Sequence, residues 1–170
     1  MKTQSVTLPI FTSAGQFVAR YSENGLVELD FPKVGSARRA DRTPQRGVPT
    51  IPATIRKWHR ATAAALKNIL AGRLPGKLPP LDLSNGTMFQ RKVWNTLRKI
   101  ARGQTKSYGE IARAIGRPKA VRAVGGACGA NPIPVLVPCH RVLAANGKVG
   151  GFSGGLNWKR ELLAREGVSL

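Results

Sequence analysis

Acidic side chains are scarce in this 170-residue chain: 8 Asp and Glu stand against 28 Lys and Arg, a formal charge of +20. The shortage is deepest in residues 84–170, with 15 basic and 3 acidic side chains, net +12; residues 1–83 carry 13 and 5, net +8. Any carboxylate chemistry in the second half must therefore fall to Glu110, Glu161 or Glu166. Cysteine is rarer still. The pair Cys128 and Cys139 excludes a disulfide framework, no CxxC occurs, and neither His59 nor His140 stands at zinc-ligand spacing, so no metal is expected. No apolar run approaches the length needed to span a membrane, and Met1 to Pro9 lacks an apolar signal core. These absences predict no membrane and a reducing, cytoplasmic setting, in which a free thiolate persists.

A hydrophobic content of 42% suits a globular chain, and 170 residues suffice for one domain with a real core or for two small lobes. The basic excess favours a polyanionic partner, because Lys and Arg that neutralise phosphates release condensed counterions. General solubility and attraction to anionic membrane surfaces are the competing explanations of the charge.

Along the chain, residues 16–31 read as a hairpin about Ser22-Glu23-Asn24-Gly25, with Asn-Gly supplying the positive φ angles of a tight turn. Lys33 to Pro52 is a basic connector poor in apolar residues. A helix is expected over about 54–71, with Ile55, Trp58, Thr62, Ala65 and Ile69 on one face and Gly72 as its stop; His59 beside that stripe is structural or on the surface, not a ligand. Leu74 to Leu83, with three prolines, reads as an extended interdomain linker, dividing the chain into 1–83 and 84–170. Thr87-Met-Phe-Gln90 is a capping box opening a helix with Phe89, Val93, Trp94, Leu97 and Ile100 inward. Ser107-Tyr-Gly-Glu110 is a second box, and the short helix it opens ends at Gly116. Pro118 suits the first turn of a further helix, roughly 118–128, making a helix-turn-helix candidate. Its second helix carries Arg122 almost alone among Ala and Gly. Small residues there allow either tight packing on another helix or close entry into a minor groove, with Arg122 as the projecting group. A final helix is expected over about 157–166, capped by Gly167. The fold class is α/β (α+β), a sheet-plus-helix lobe followed by a helical lobe with a winged helix-turn-helix-like motif.

The reactive stretch is Pro138-Cys139-His140-Arg141, set in the apolar run Val135 to Leu143, which reads as a strand. A free thiol, with a pKa near ~8.5, needs a base or a nearby positive charge to become a nucleophile. His140 is the candidate base. Neighbours on a strand point to opposite faces, so the chain must bend after Pro138 or a water must relay the proton. Glu166 is the expected carboxylate behind the histidine, since Glu110 is engaged in a cap and Glu161 faces solvent. A Cys-His-Glu set of this kind suits a thiol protease or an acyltransferase equally, and a buried inert cysteine beside a satisfied histidine is the competing reading.

Pro138-Cys-His-Arg141, Ser107-Tyr-Gly-Glu110, Arg122-Ala-Val-Gly-Gly126, Asn131-Pro, Ser153-Gly-Gly155 and Leu162-Leu-Ala-Arg-Glu166-Gly together closely resemble the O6-alkylguanine-DNA alkyltransferases. The resemblance covers about residues 84–168; the first 83 match only loosely. It implies single-turnover repair of O6-alkylguanine in duplex DNA through minor-groove binding and nucleotide flipping, by a monomer with no cofactor, and leaves O4-alkylthymine open as a second substrate. Cys139 would attack the alkyl carbon and keep the group as a thioether. His140, through water, and Glu166 would stabilise the thiolate, while Asn131 orders the active-site turn. Tyr108 would rotate the lesion's 3′ phosphate and protonate guanine N3. Arg122 would fill the vacated stack, with Ala123, Gly125, Gly126, Ala127, Ser107 and Arg141 as further DNA contacts. Val142, Phe152, Ser153 and Gly154 would form the pocket, Phe152 standing where vertebrate members carry tyrosine. Alkyltransferase-like proteins replace the cysteine, so Cys139 argues against that class. A helix-turn-helix regulator would carry longer polar side chains on its second helix, and a thiol hydrolase would turn over.

Overall fold

The structure is a computed structural model that describes residues 5–32 and 51–170. The basic connector expected from Lys33 lies outside the described residues except for its last two. Strands β1 (Val6–Thr12), β2 (Gly15–Tyr21) and β3 (Leu26–Asp30) form an antiparallel sheet in the order β1-β2-β3. The strand β1 was not anticipated. Pro9 interrupts its pattern, and proline is tolerated because β1 is an edge whose outer N–H groups need no partner. Along β2, Phe17, Ala19 and Tyr21 are buried in strict alternation, turning one face to the core.

The β2–β3 connection departs from the expected turn. Only Gly25 has positive φ, at 150°, and Asn24 does not, so the Asn-Gly pair is not a two-residue primed turn. Instead the Ser22 N–H donates to the Gly25 carbonyl (2.9 Å), and the register shifts between Arg20 and Tyr21. Gly25 is required for a different reason: a Cβ there would sit inside the van der Waals shell of the Pro80 carbonyl. That carbonyl accepts from Leu26 N–H (2.9 Å), and Asp82 N–H donates back to Leu26 O (2.8 Å), so Leu74–Leu83 is strapped to β3 in this stretch.

Helix α1 (Ala53–Leu70) buries Ile55, Thr62, Ala65 and Ile69 as its periodicity predicts, and Gly72 follows at φ 69°. The buried Tyr21 hydroxyl donates to Thr62 Oγ1 (3.0 Å) and lies 3.2 Å from His59 Nδ1, which places His59 in a packing role. Helix α2 (Met88–Leu97) starts at the Thr87–Gln90 capping box; it ends earlier than expected, yet Ile100 is buried through a tighter final turn, Ile100 N–H to Leu97 O (3.0 Å). Strand β4 (Lys106–Ser107) leads into α3 (Tyr108–Ala114), whose reciprocal cap between Ser107 and Glu110 holds the Glu110 carboxyl at about 2 through hydrogen bonds from Ser107 and Lys106.

Helix α4 spans Val121–Gly129, so it begins three residues later than Pro118 suggests. Pro118 and Lys119 form a turn closed by Ala120 N–H to Arg117 O (2.8 Å). The helices α3 and α4 pack together as a helix-turn-helix. Trp94 of α2 braces α4 by donating Nε1–H to the Ala127 carbonyl (2.8 Å). The run Val135–Leu143 is not a strand: it forms a turn, a 3-10 helix over Cys139–Arg141, and only then β5 (Val142–Leu143), parallel to β4. Helix α5 (Leu156–Arg165) starts from Gly155 and ends at Glu166, with Gly167 at φ 82°. One apolar core runs through both halves, from Phe17 and Leu66 to Val93, Ile111 and Leu162.

Candidate functional site

The turn Asn131–Cys139 is organised by a single side chain. Asn131 Oδ1 accepts from Ile133 N–H (3.1 Å), while its amide donates to Val137 O (2.8 Å) and to Cys139 Sγ (3.1 Å). Within this turn Val135 holds φ 73°, a strained value for a β-branched residue. The 3-10 helix then resolves the adjacency of Cys139 and His140, because its turn lets neighbouring side chains leave in related directions as a strand does not.

Cys139 is 3% exposed, and burial pushes its thiol up to about 11 against the opposing pull of the Asn131 amide, the Lys159 charge and nearby backbone N–H groups. At neutral pH it rests as a thiol and must lose its proton on reaction. His140 is buried, and burial lowers its pKa despite Glu166, so the ring is neutral. Its Nε2 lies 3.0 Å from Glu166 Oε1. A carboxylate can only accept, which puts the single ring proton on Nε2 and leaves the Nδ1 lone pair as a base. Among the described residues Nδ1 has no hydrogen-bond partner.

Glu166 is the hub of this arrangement. Burial would raise its pKa, but His140 and Arg141 outweigh it by hydrogen bonds and charge and hold the carboxyl at about 2. Arg141 Nε donates to Oε2 (2.9 Å) and Nη2 to Oε1 (2.8 Å), and Gly103 N–H adds a bond of 3.2 Å. A further Arg141 nitrogen, Nη1, donates to Ile100 O (2.6 Å). Arg141 was expected at DNA; its fork is instead spent inside the protein, tying the 3-10 helix to the end of α5.

On α4 the expected contact residues divide. Arg122, Ala123 and Gly126 are exposed and Gly125 is half-buried beside the Tyr108 ring. Ala127, expected on the same surface, is buried at 3% because that side of α4 packs on α2. Ser107 and Tyr108 sit half-buried at the start of α3, where burial raises the Tyr108 pKa and keeps the phenol protonated. The Tyr108 hydroxyl approaches the backbone of Gly150, where a Cβ would lie 3.1 Å from it. Val142 is buried, and Phe152 meets the His140 ring edge-on at 6.4 Å, whereas Ser153 is exposed and Gly154 half-buried. Among the described residues no group of three or more His, Cys, Asp or Glu could hold a metal.

Lys159 was missed. It is fully buried, and Nζ donates to Val142 O (2.6 Å) and Gly151 O (3.3 Å), joining the segment after the cysteine to the glycine-rich loop. Burial lowers its pKa, while its charge favours the Cys139 thiolate. A signal was present: Lys159, Leu162, Leu163 and Glu166 fall at i, i+3, i+4 and i+7, one helix face, so a lysine on the Leu162 stripe had to be buried.

Residues 88–168 match the family described as 6-O-methylguanine DNA methyltransferase, DNA binding domain. A methylated-DNA–protein-cysteine methyltransferase of Methanosarcina acetivorans is 48% identical over 114 residues, 65% of this chain and 70% of that protein. One of the same name from Mycolicibacterium paratuberculosis is 50% identical over 110 residues, covering 63% of this chain and 66% of that protein. In three dimensions the chain is similar to Mycobacterium tuberculosis OGT solved in complex with DNA, with a TM-score of 0.74, 39% identity, and coverage of 94% of this chain and 91% of that one.

Proposed function

The chain belongs to the O6-alkylguanine-DNA alkyltransferase family, and from that premise we propose that it repairs DNA directly, moving a methyl or larger alkyl group from O6-alkylguanine to Cys139. One observation carries the reading: the buried Cys139 thiol is held by Asn131 and followed by a neutral histidine whose proton is fixed by Glu166.

The α3–α4 unit docks on duplex DNA with its small-residue face in the minor groove, Arg122 entering the stack as the lesion flips out at a cost of about a few kcal/mol. Ser107, Tyr108, Ala123, Gly125 and Gly126 lie on the DNA side; Arg141 acts from behind as a positioning residue. In the pocket bounded by Val142, Phe152, Ser153 and Gly154, Sγ attacks the alkyl carbon in line with the departing O6. The S–C bond forms as the C–O6 bond breaks, and the electron pair moves into the purine. The thiol proton passes through a water to His140 Nδ1, the Tyr108 phenol protonates guanine N3, and the phenolate regains a proton from solvent as the His140 imidazolium releases one. The neutral guanine stays in the DNA and the thioether on the protein, so each molecule acts once. Lys159 opposes the desolvation of the thiolate. Functionally the chain divides near residue 83, with 84–170 carrying the chemistry and 1–83 buttressing it, and it works as a monomer in the cytoplasm without a cofactor.

Intact mass spectrometry after incubation with an O6-methylguanine duplex tests this. One methylene mass on the Cys139 peptide, saturating at one per molecule and absent in Cys139→Ala, is expected. Repeated turnover, or labelling that survives the substitution, refutes it.

A further inference from the structure

The N-terminal sheet reaches the pocket through one side chain. Phe31 directly follows β3, and its ring centroid lies 5.6 Å from Phe17, 5.0 Å from Trp158 and 5.6 Å from Phe152. Phe17 is fully buried in the sheet's core, and Phe152 meets His140, so four aromatic rings run from the sheet to the histidine behind the acceptor thiol. The same ring lies against the Gly154 backbone. A Cβ on Gly154 would fall 2.6 Å from Phe31 Cε2 and 2.8 Å from two more ring atoms. Gly154 has no positive φ, so the neighbouring ring, not the main chain, requires glycine there. Held between Phe17, Trp158 and Phe152, the ring cannot swing aside cheaply, because edge-packed aromatic neighbours fill the alternative positions. Phe31 also walls a groove of about 370 Å³ together with Asn131, Pro134 and Ser153. Asn131, which donates to Cys139 Sγ, is thus shared between that groove and the thiol.

We propose that Phe31 is a specificity-determining residue of the transfer reaction: by clamping Phe152 and Gly154 it fixes the wall opposite the thiol and so limits the size of alkyl group accepted. This deepens the proposed function and rests on it. On this proposal the group bonded to Sγ extends into the groove lined by Pro134, Ser153 and Phe31. Methyl needs none of that space, whereas benzyl needs most of it.

The test compares transfer rates from O6-methylguanine and O6-benzylguanine in the same duplex, for wild type, Phe31→Ala, Phe31→Leu, Gly154→Ala and the Phe31→Ala/Gly154→Ala pair. Phe31→Ala is expected to raise the benzyl-to-methyl rate ratio by about tenfold, the scale on which apolar pockets discriminate small hydrocarbon increments. Phe31→Leu should raise it less. Gly154→Ala should slow both substrates in the wild-type background and cost much less once the ring is gone, a coupling that general destabilisation does not produce. An unchanged ratio in folded Phe31→Ala, or additive effects in the pair, overturns the proposal; if Phe31→Ala does not fold, the same cycle with Phe31→Leu decides. Wild type that takes no methyl on Cys139 sinks the functional reading itself, whereas a methylated wild type with an unchanged ratio sinks only the role of Phe31.

Discussion

Replacing Glu166 by glutamine removes one charge while leaving shape and burial nearly intact, and the structure sets the size of the consequence. The carboxyl is held at about 2, against an ordinary 4.5, and its side chain is 4% exposed, so solvent screens the interaction little. At about 1.4 kcal/mol per pH unit, the depressed pKa corresponds to about 3 kcal/mol of folded-state stability. Because the folded pKa lies below the unfolded one, that stability is fully present above pH 4.5 and drains away as pH falls toward 2. Urea unfolding of wild type and Glu166→Gln between pH 7 and pH 2 reads it directly. The two curves should differ by about 3 kcal/mol at neutral pH, in line with the cost of breaking a buried pair, still differ by about 1 kcal/mol at pH 3, and converge only near pH 2. Alkyl transfer should fall by about a hundredfold as His140 loses its tautomer-fixing partner. Parallel stability curves that keep a constant gap at every pH would refute the assignment of Glu166 as an ionised hub, and an unchanged transfer rate would remove it from the proton path.

Arg122→Ala should slow repair of duplex substrate by at least tenfold while leaving reaction with free benzylguanine nearly unchanged, as measured by mass labelling; equal losses on both would deny it a part in flipping. Lys159→Met keeps the length and apolar stem but removes the charge and the bonds to Val142 and Gly151. Cys139 should then titrate higher still, visible as slower iodoacetamide labelling across pH 7–10, with labelling equal to wild type contradicting an electrostatic role. Gly25→Ala should cost about 2–4 kcal/mol in denaturant melts, because φ 150° and the Pro80 carbonyl both resist a Cβ; a loss under about 0.5 kcal/mol would mean the strap to β3 yields easily.

The features read correctly from the sequence are those whose cause is local. The Thr87–Gln90 and Ser107–Glu110 boxes, the α1 stripe and the glycines after α1 and α5 each depend on residues within a turn of one another. The contact of His140 with Glu166 was legible because a base and a scarce carboxylate limit one another by type. What failed was local reasoning applied to positions governed from elsewhere. Pro118 did not open α4, since its turn is closed by Arg117 instead. The apolar run around Cys139 did not become a strand, because Asn131 folds it into a turn. Ala127 and Arg141 changed roles once Trp94 and Glu166 stood against them.

Short-range hydrogen bonding, periodicity and composition thus account for the two capping boxes, the α1 stripe and the basic charge, all legible in the sequence. Tertiary packing alone buries Lys159 against Val142 and Gly151, turns Arg141 inward onto Glu166, and brings Phe31, more than a hundred positions from Cys139, against Phe152 and Gly154. Those outcomes depend on contacts between residues far apart in the chain, which no local pattern encodes and which exist only once the sheet and α5 have packed.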